Sequence, residues 1–173
     1  MANPAISLAA QWQLASAASL PPLLQNWLLE PASLTAKLKR HADDFKLQVI
    51  QQQLQSLPGF LQPLLPGIAA AECREVLMSC KRLPCVYAQS WIPQSTIAAW
   101  QPLAALGEQP LGEVIFQQSG VQRSAVEVAR VCVQHAPLAA VASGEYWARR
   151  SVFTLAGQPL LVAEVFLDGV FAL

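Results

Sequence analysis

Apolar side chains recur along this chain with two different periods, and the change between them divides it. Near the start, Leu23, Leu24, Trp27 and Leu28 recur at helical spacing. They follow Pro21 and Pro22, residues suited to a first helical turn, and Pro31 stops the run. Ser33 then predicts the cap of a second short helix that turns Leu34 and Leu38 inward. The segment SLPGFLQPLLPG over 56–67 holds too many prolines for regular structure. From Glu72 onward the period shifts towards two. Residues 72–80 and 85–92 alternate as strands around a turn at 81–84, and Ser95 is placed to cap a helix over 96–106 that ends at Gly107. Further strands are predicted over 123–134, 148–155 and 159–167, the last two joined through Ala156-Gly157-Gln158. Helices gathered in front and strands joined by hairpins predict an α+β fold with one mainly antiparallel sheet. The chain lacks the Gly-rich strand-to-helix turn of nucleotide-binding α/β folds.

Alternation also singles out charged positions. In 159–167, Leu160, Val162, Glu164 and Phe166 share one face, while Leu161, Ala163, Val165 and Leu167 share the other. Both faces are apolar, so Glu164 is expected inside the fold or in a pocket, where a carboxylate must find a partner or titrate higher. Arg74 shares a face with Val76 and Met78 and raises the same question with opposite sign. Two roles fit these residues: they pair within the fold, or they face a ligand. Arg149 and Arg150 are adjacent and face opposite sides of a strand, so at least one of them is expected at the surface. His135, before Pro137 in a predicted turn, has no acidic or nucleophilic neighbour, and His41 falls in a charged run. Ser119-Gly120 and Ser143-Gly144 form no GxSxG elbow, which removes a serine hydrolase.

Composition narrows the classes further. The 173 residues predict a single domain over 1–173. At 54% hydrophobic and 13% charged the chain cannot be disordered. Eleven basic residues balance eleven acidic ones, so no global field favours nucleic acid. Glu30 is the one charged side chain in 1–36, whereas 37–46 carries six and reads as a solvated helix end and turn. No window reaches eighteen uninterrupted apolar residues, and no basic residue precedes Lys37, so neither a membrane span nor a signal peptide is expected. The four cysteines form no CxxC pair and are joined by two histidines, poor support for zinc. The chain reads as soluble, cytoplasmic and metal-free.

Several short runs then stand in a telling order. They are Leu24-Gln25-Asn26-Trp27-Leu28-Leu29, Ser33-Leu34-Thr35, Arg74-Glu75-Val76-Leu77 and Leu106-Gly107 with Pro110-Leu111-Gly112. Trp147-Ala148-Arg149-Arg150-Ser151, Gly157-Gln158-Pro159-Leu160-Leu161 and Glu164-Val165-Phe166-Leu167 complete the set. Over residues 20–168, apart from a poorly matching 40–70, the chain resembles the chorismate pyruvate-lyases. The resemblance implies a chorismate lyase-like fold, an antiparallel sheet whose helices and flap-like segments close over an internal ligand cavity. It implies a cofactor-free enzyme that converts chorismate to 4-hydroxybenzoate and pyruvate, the first step of ubiquinone synthesis. It also implies that Arg74 binds the ring carboxylate, that Glu164 meets the ring hydroxyl, and that Leu34 and Leu111 line the substrate, with Arg74 and Glu164 as the catalytic pair.

The chemistry suits those residues. Chorismate is a dianion, and a guanidinium grips a carboxylate through two parallel hydrogen bonds while staying charged in an apolar cavity. The predicted helix start near Leu34 and the turn before Gly112 would add backbone N–H donors. Two routes are open: Glu164 takes the C4 proton as general base, or the enolpyruvyl group takes it internally and Glu164 positions the ring. One departure is Gln89, where the family commonly has arginine. It implies a weaker hold on the enolpyruvyl carboxylate or altered product exit, with Arg149, Arg150 or Arg123 as compensating cations. The rival reading is a non-catalytic domain that binds or senses aromatic acids, since the same fold serves as the effector domain of some bacterial transcription regulators. Residues 1–30 are too short and too uncharged for the DNA-binding partner such a domain needs. No heptad seam is present, so a monomer is expected.

Overall fold

The computed structural model describes residues 3–133 and 140–173. His135, Pro137 and the last residue of the strand predicted over 123–134 lie outside them. In chain order the elements are β1 (Gln13–Leu14), α1 (Pro22–Leu28), α2 (Leu34–His41), β2 (Lys46–Ser56), β3 (Ala70–Cys80) and β4 (Leu83–Ile92). Then come α3 (Gln94–Ala99), α4 (Leu111–Phe116), β5 (Gln122–Arg123), β6 (Glu127–Val133), β7 (Gly144–Leu155) and β8 (Gln158–Phe166). Among the described residues, eight strands form one antiparallel sheet in the order β1-β6-β7-β8-β4-β3-β2, with β5 paired to β7. The α+β expectation holds.

Local chemistry explains most of the boundaries. Ser33 caps α2 as expected, its Oγ accepting from the Ala36 N–H at 3.2 Å, and Leu34 and Leu38 are buried. The turn between β3 and β4 is tighter than predicted. It consists of Lys81 (φ 51°) and Arg82 (φ 62°), both left-handed as a two-residue hairpin demands. Neither is glycine; Asp44 Oδ1 holds the Lys81 N–H at 2.7 Å, and Lys81 Nζ donates to the Ala172 carbonyl at 2.8 Å. Ala156 (φ 49°) and Gly157 (φ 74°) form the equivalent turn before β8, so Gln158 already belongs to the strand.

Three expectations need correction. The helix predicted over 96–106 is two pieces. Pro93, with ψ 147°, starts α3 at Gln94, so Ser95 lies inside the first turn and caps nothing. Pro102 cannot continue the hydrogen-bond ladder, and after Trp100 the chain resumes as a 3₁₀ helix over Gln101–Ala105. The strand predicted over 123–134 is divided into β5 and β6, and β7 starts at Gly144 rather than 148. The edge strand β2 had no counterpart in the periodicity. A bulge between Val49 and Gln51 resets its alternation just before a run of three glutamines.

Register sorts the side chains into two faces. Arg74, Ser90, Val162 and Ser151 align in one row across β3, β4, β8 and β7. Val76, Ala88, Glu164 and Arg149 make the next row of the same face. Leu24, Leu28, Leu34 and Leu38 of α1 and α2 pack over this face with Val86 and Phe166. Leu103, Leu106, Leu111 and Ile115 cover its other end against Phe153 and Leu160. The opposite face is covered by Ile6 and Leu8 near the start of the chain, and by Leu57, Leu61 and Leu65 from the proline-rich segment. The core is therefore two layers, and the helices lie on the side that carries Arg74 and Glu164.

Candidate active site

Between the sheet and its helical cover lies a cavity floored by the two polar rows. Leu34 and Thr35 of α2 roof it together with Pro110, Leu111, Gly112 and Ile115 at α4. About 40 Å³ of it can be occupied by the centres of water molecules, several times the minimum for one water. The two roof helices meet at Gly112, where a Cβ would make ordinary van der Waals contact, 3.7 Å from Ser33 Oγ and 3.9 Å from Thr35 Oγ1. Lys39 Nζ and Glu113 Oε1, 2.8 Å apart, tie α2 to α4 above the cavity.

Arg74 is 2% exposed, and its charge is answered by neutral oxygens. One terminal nitrogen donates to Gln52 Oε1 at 2.7 Å and to the Gly107 carbonyl at 2.8 Å; the other donates to the Gln109 carbonyl at 2.9 Å. Gly107, at φ +53°, turns the chain so that the loop before α4 wraps the guanidinium. Burial lowers the Arg74 pKa, with Glu72 acting against the shift. Among the described residues Arg74 forms no salt bridge. A guanidinium held by carbonyl dipoles at the wall of a cavity is arranged to receive an anion.

Glu164 does not pair with Arg74. Its Oε2 accepts from Arg149 Nε at 2.5 Å, directly across the β7–β8 register. Arg149 in turn donates from one terminal nitrogen to the carbonyls of Leu28 at 3.1 Å and Glu30 at 2.9 Å. That anchors the end of α1, where carbonyls lack helical partners. Arg123 is the third cation at the cavity wall. Its Nε donates to Ser151 Oγ at 3.0 Å and a terminal nitrogen donates to the Glu30 carbonyl at 3.2 Å. Burial, reinforced by repulsion from Arg149 and opposed by attraction to Glu164 and Glu30, pushes its pKa down to about 10. Three guanidiniums and one carboxylate thus line the cavity, a formal charge of +2.

All four residues singled out from the sequence, Leu34, Arg74, Leu111 and Glu164, line this one cavity. Leu34 and Leu111 are the first residues of α2 and α4, where N–H groups have no partner within the helix. Two expectations fail. Gln89 belongs to the opposite face and does not meet the cavity. Its amide nitrogen donates to the Ile6 carbonyl at 3.0 Å and to Tyr87 Oη at 2.8 Å, and its oxygen accepts from Trp91 Nε1 at 2.7 Å. Buried Glu75 joins this network by accepting from Tyr87 Oη and from the Ala5 N–H. Arg149 and Arg150 are both buried, at 2% and 8% exposure. Arg150 faces away from the cavity, where Glu127 Oε2 accepts from its Nε at 2.9 Å and the Trp12 ring covers it at 4.4 Å. Of the proposed compensating cations, Arg149 and Arg123 reach the cavity and Arg150 does not. Ser90 and Thr35 complete the polar lining; alternation with Arg74's neighbours identifies Ser90 only once the β3–β4 register is known. Among the described residues, no three His, Cys, Asp or Glu side chains cluster as a metal site would need.

Comparison with known proteins agrees with this geometry. Residues 6–172 match the family model described as chorismate lyase. A "Probable chorismate pyruvate-lyase" of Pseudoalteromonas translucida (strain TAC 125) is 44% identical, covering 96% of this chain and 96% of that protein. One from Idiomarina loihiensis is 36% identical over 94% of this chain and 88% of its own length. Among solved structures, the ligand-binding domain of a putative GntR-family transcriptional regulator from Bordetella bronchiseptica superposes with a TM-score of 0.55. It shares 17% identity and covers 73% of this chain and 87% of its own. The PhnF C-terminal domain superposes with a TM-score of 0.57 at 10% identity, covering 72% of this chain and 83% of that one. At such identities these two share the fold alone.

Proposed function

The chain belongs to the chorismate lyase family, and from that premise we propose that its cavity cleaves chorismate to 4-hydroxybenzoate and pyruvate, the aromatic acid feeding ubiquinone synthesis. The observation that carries the reading is Arg74, a buried guanidinium at the cavity wall without a carboxylate partner among the described residues. The ring carboxylate of the substrate binds there, supplying the anion that carbonyl dipoles replace only in part. Glu164 stands one row further along the sheet, with Oε2 held by Arg149, which leaves Oε1 for the 4-hydroxyl. Leu34 and Leu111 pack on the ring from above, and their N–H groups add donors at the roof.

Cleavage breaks the ether bond at C3 and removes the proton at C4, and the methylene carbon of the departing enolpyruvate gains a proton as pyruvate forms. Aromatisation drives the reaction, so the protein's share is to orient the substrate, exclude water and stabilise the departing anion. The +2 lining complements the dianion and remains to steady the enolate as the bond opens. The substrate is a water-soluble dianion, and among the described residues no helix is long and apolar enough to cross a membrane. A cytoplasmic monomer that binds neither nucleic acid nor membrane completes the proposal.

The test is to mix purified protein with chorismate and follow 4-hydroxybenzoate by chromatography and pyruvate with a coupled dehydrogenase. Equimolar products above the spontaneous background are expected, and folded protein that releases neither overturns the reading. Glu164→Gln then separates the two proton routes: an essential base predicts a fall in kcat of about 10²–10⁴-fold, and near-normal turnover assigns Glu164 to positioning.

A further inference from the structure

Within the cavity, one guanidinium has no anion assigned to it. Arg74 takes the ring carboxylate in the reading above, and Arg149 is neutralised by Glu164. Arg123 is different. Among the described residues it forms no salt bridge, and its partners are a hydroxyl, the carbonyls of Glu30 and Pro31, and the face of Phe153 at 5.1 Å. These contacts fix the guanidinium in place through neutral groups, and Glu164 and Glu30 attract it without forming a salt bridge. A pKa of about 10 keeps it protonated near neutrality.

Its position complements that of Arg74. The row Arg74, Ser90, Val162, Ser151 crosses four strands, and Arg123 is bonded to the Ser151 end. Three interstrand steps put those ends about 14 Å apart at the backbone, and a long side chain reaches inward from each. Glu164 lies between them in the adjacent row. A ligand whose ring carboxylate meets Arg74 and whose para-hydroxyl meets Glu164 therefore directs a substituent next to that hydroxyl towards the Arg123 end.

We propose that Arg123 binds the second carboxylate of the substrate, that of the enolpyruvyl side chain, and thereby selects the dianion over its aromatic monoanionic product. The assignment rests on the cavity being the chorismate site. It makes the product's release a consequence of the chemistry: once the ether bond breaks, the group held by Arg123 leaves with pyruvate. The remaining 4-hydroxybenzoate keeps only its contacts with Arg74, Glu164 and the apolar roof.

The experiment compares Arg123→Gln and Arg123→Lys with the unmodified chain. It measures KM and kcat for chorismate and, separately, the Kd of 4-hydroxybenzoate by titration. Losing a charge-assisted bond predicts that Arg123→Gln raises KM for chorismate about 100-fold while the 4-hydroxybenzoate Kd stays within about twofold. Arg123→Lys, which keeps the cation and hence the scaffold should the glutamine variant misfold, is expected to raise KM about tenfold with the same unchanged product Kd. Parallel weakening of both ligands means that Arg123 only braces the loop at Glu30 and overturns the proposal, as does an unchanged KM. Failure of the parent reading looks different, because the unmodified chain would then release no pyruvate from chorismate.

Discussion

Arg74 sits mid-strand with its charge answered by Gln52, Gly107 and Gln109 rather than by a carboxylate. Glu164 and Arg149, by contrast, already satisfy one another. That difference gives the two sides of the cavity different mutational signatures. Arg74→Ala removes the group proposed to meet the ring carboxylate common to substrate and product. It is expected to weaken both ligands by about 2–5 kcal/mol, measurable as KM for chorismate and Kd for 4-hydroxybenzoate. A variant that turns over chorismate normally would show Arg74 to be a structural tie between β3 and the loop before α4. Arg74 and Arg123 together form a two-point test, because the first should affect both ligands and the second only the dianion.

Among the elements, the site depends on how closely neighbouring segments pack. The 3₁₀ helix Asp168–Ala172 that follows β8 closes over the β3–β4 hairpin at Gly169. A Cβ on Gly169 would press on the Pro84 carbonyl, with its carbon only 2.8 Å away. Backbone cannot yield as a side chain does, so Gly169→Ala is expected to destabilise the fold by about 1–3 kcal/mol, read as a lower urea midpoint. This contact lies at the hairpin end, several residues along β3 from Arg74. The folded fraction of the variant should therefore keep its KM for chorismate. At the other end, the roof helices meet at Gly112 and the partly exposed Lys39–Glu113 pair, and the pair by itself contributes little to holding them together.

For the whole molecule, the proposed ligand cavity lies between the sheet and its helical cover rather than on a surface. Ligand bound there stabilises the native state by mass action, about 2.7 kcal/mol at a concentration 100 times Kd. Residues 1–173 are expected to unfold in one transition, because a single sheet carries every hydrophobic cluster described. Thermal scans should show that one transition moving upward with 4-hydroxybenzoate, and Arg74→Ala should abolish the movement. Two separated transitions would divide the chain into independent units.

What could be read from the sequence was whatever a local rule determines. A period of two sends alternate side chains to opposite faces, so Arg74 and Glu164 stood out as charges on apolar faces, and both line the cavity. Ser33 could be recognised as a cap because its bond spans three residues. Tertiary structure decided the rest, because it depends on register and on which distant segment covers which face. Arg74 and Glu164 fall in adjacent rows, whereas Arg149 falls directly opposite Glu164, and that offset decides which arginine takes the carboxylate. The same alternation turns Gln89 towards Ile6 and away from the cavity. Arg150 is buried because Trp12, far away in the chain, lies over it, and Arg123 reaches the cavity because β5 pairs with β7. The bulge in β2 hid a whole strand by breaking the period that would have revealed it. Period is a property of neighbours in sequence and survives without the fold; register and cover are properties of neighbours in space, and exist only once the chain has closed on itself.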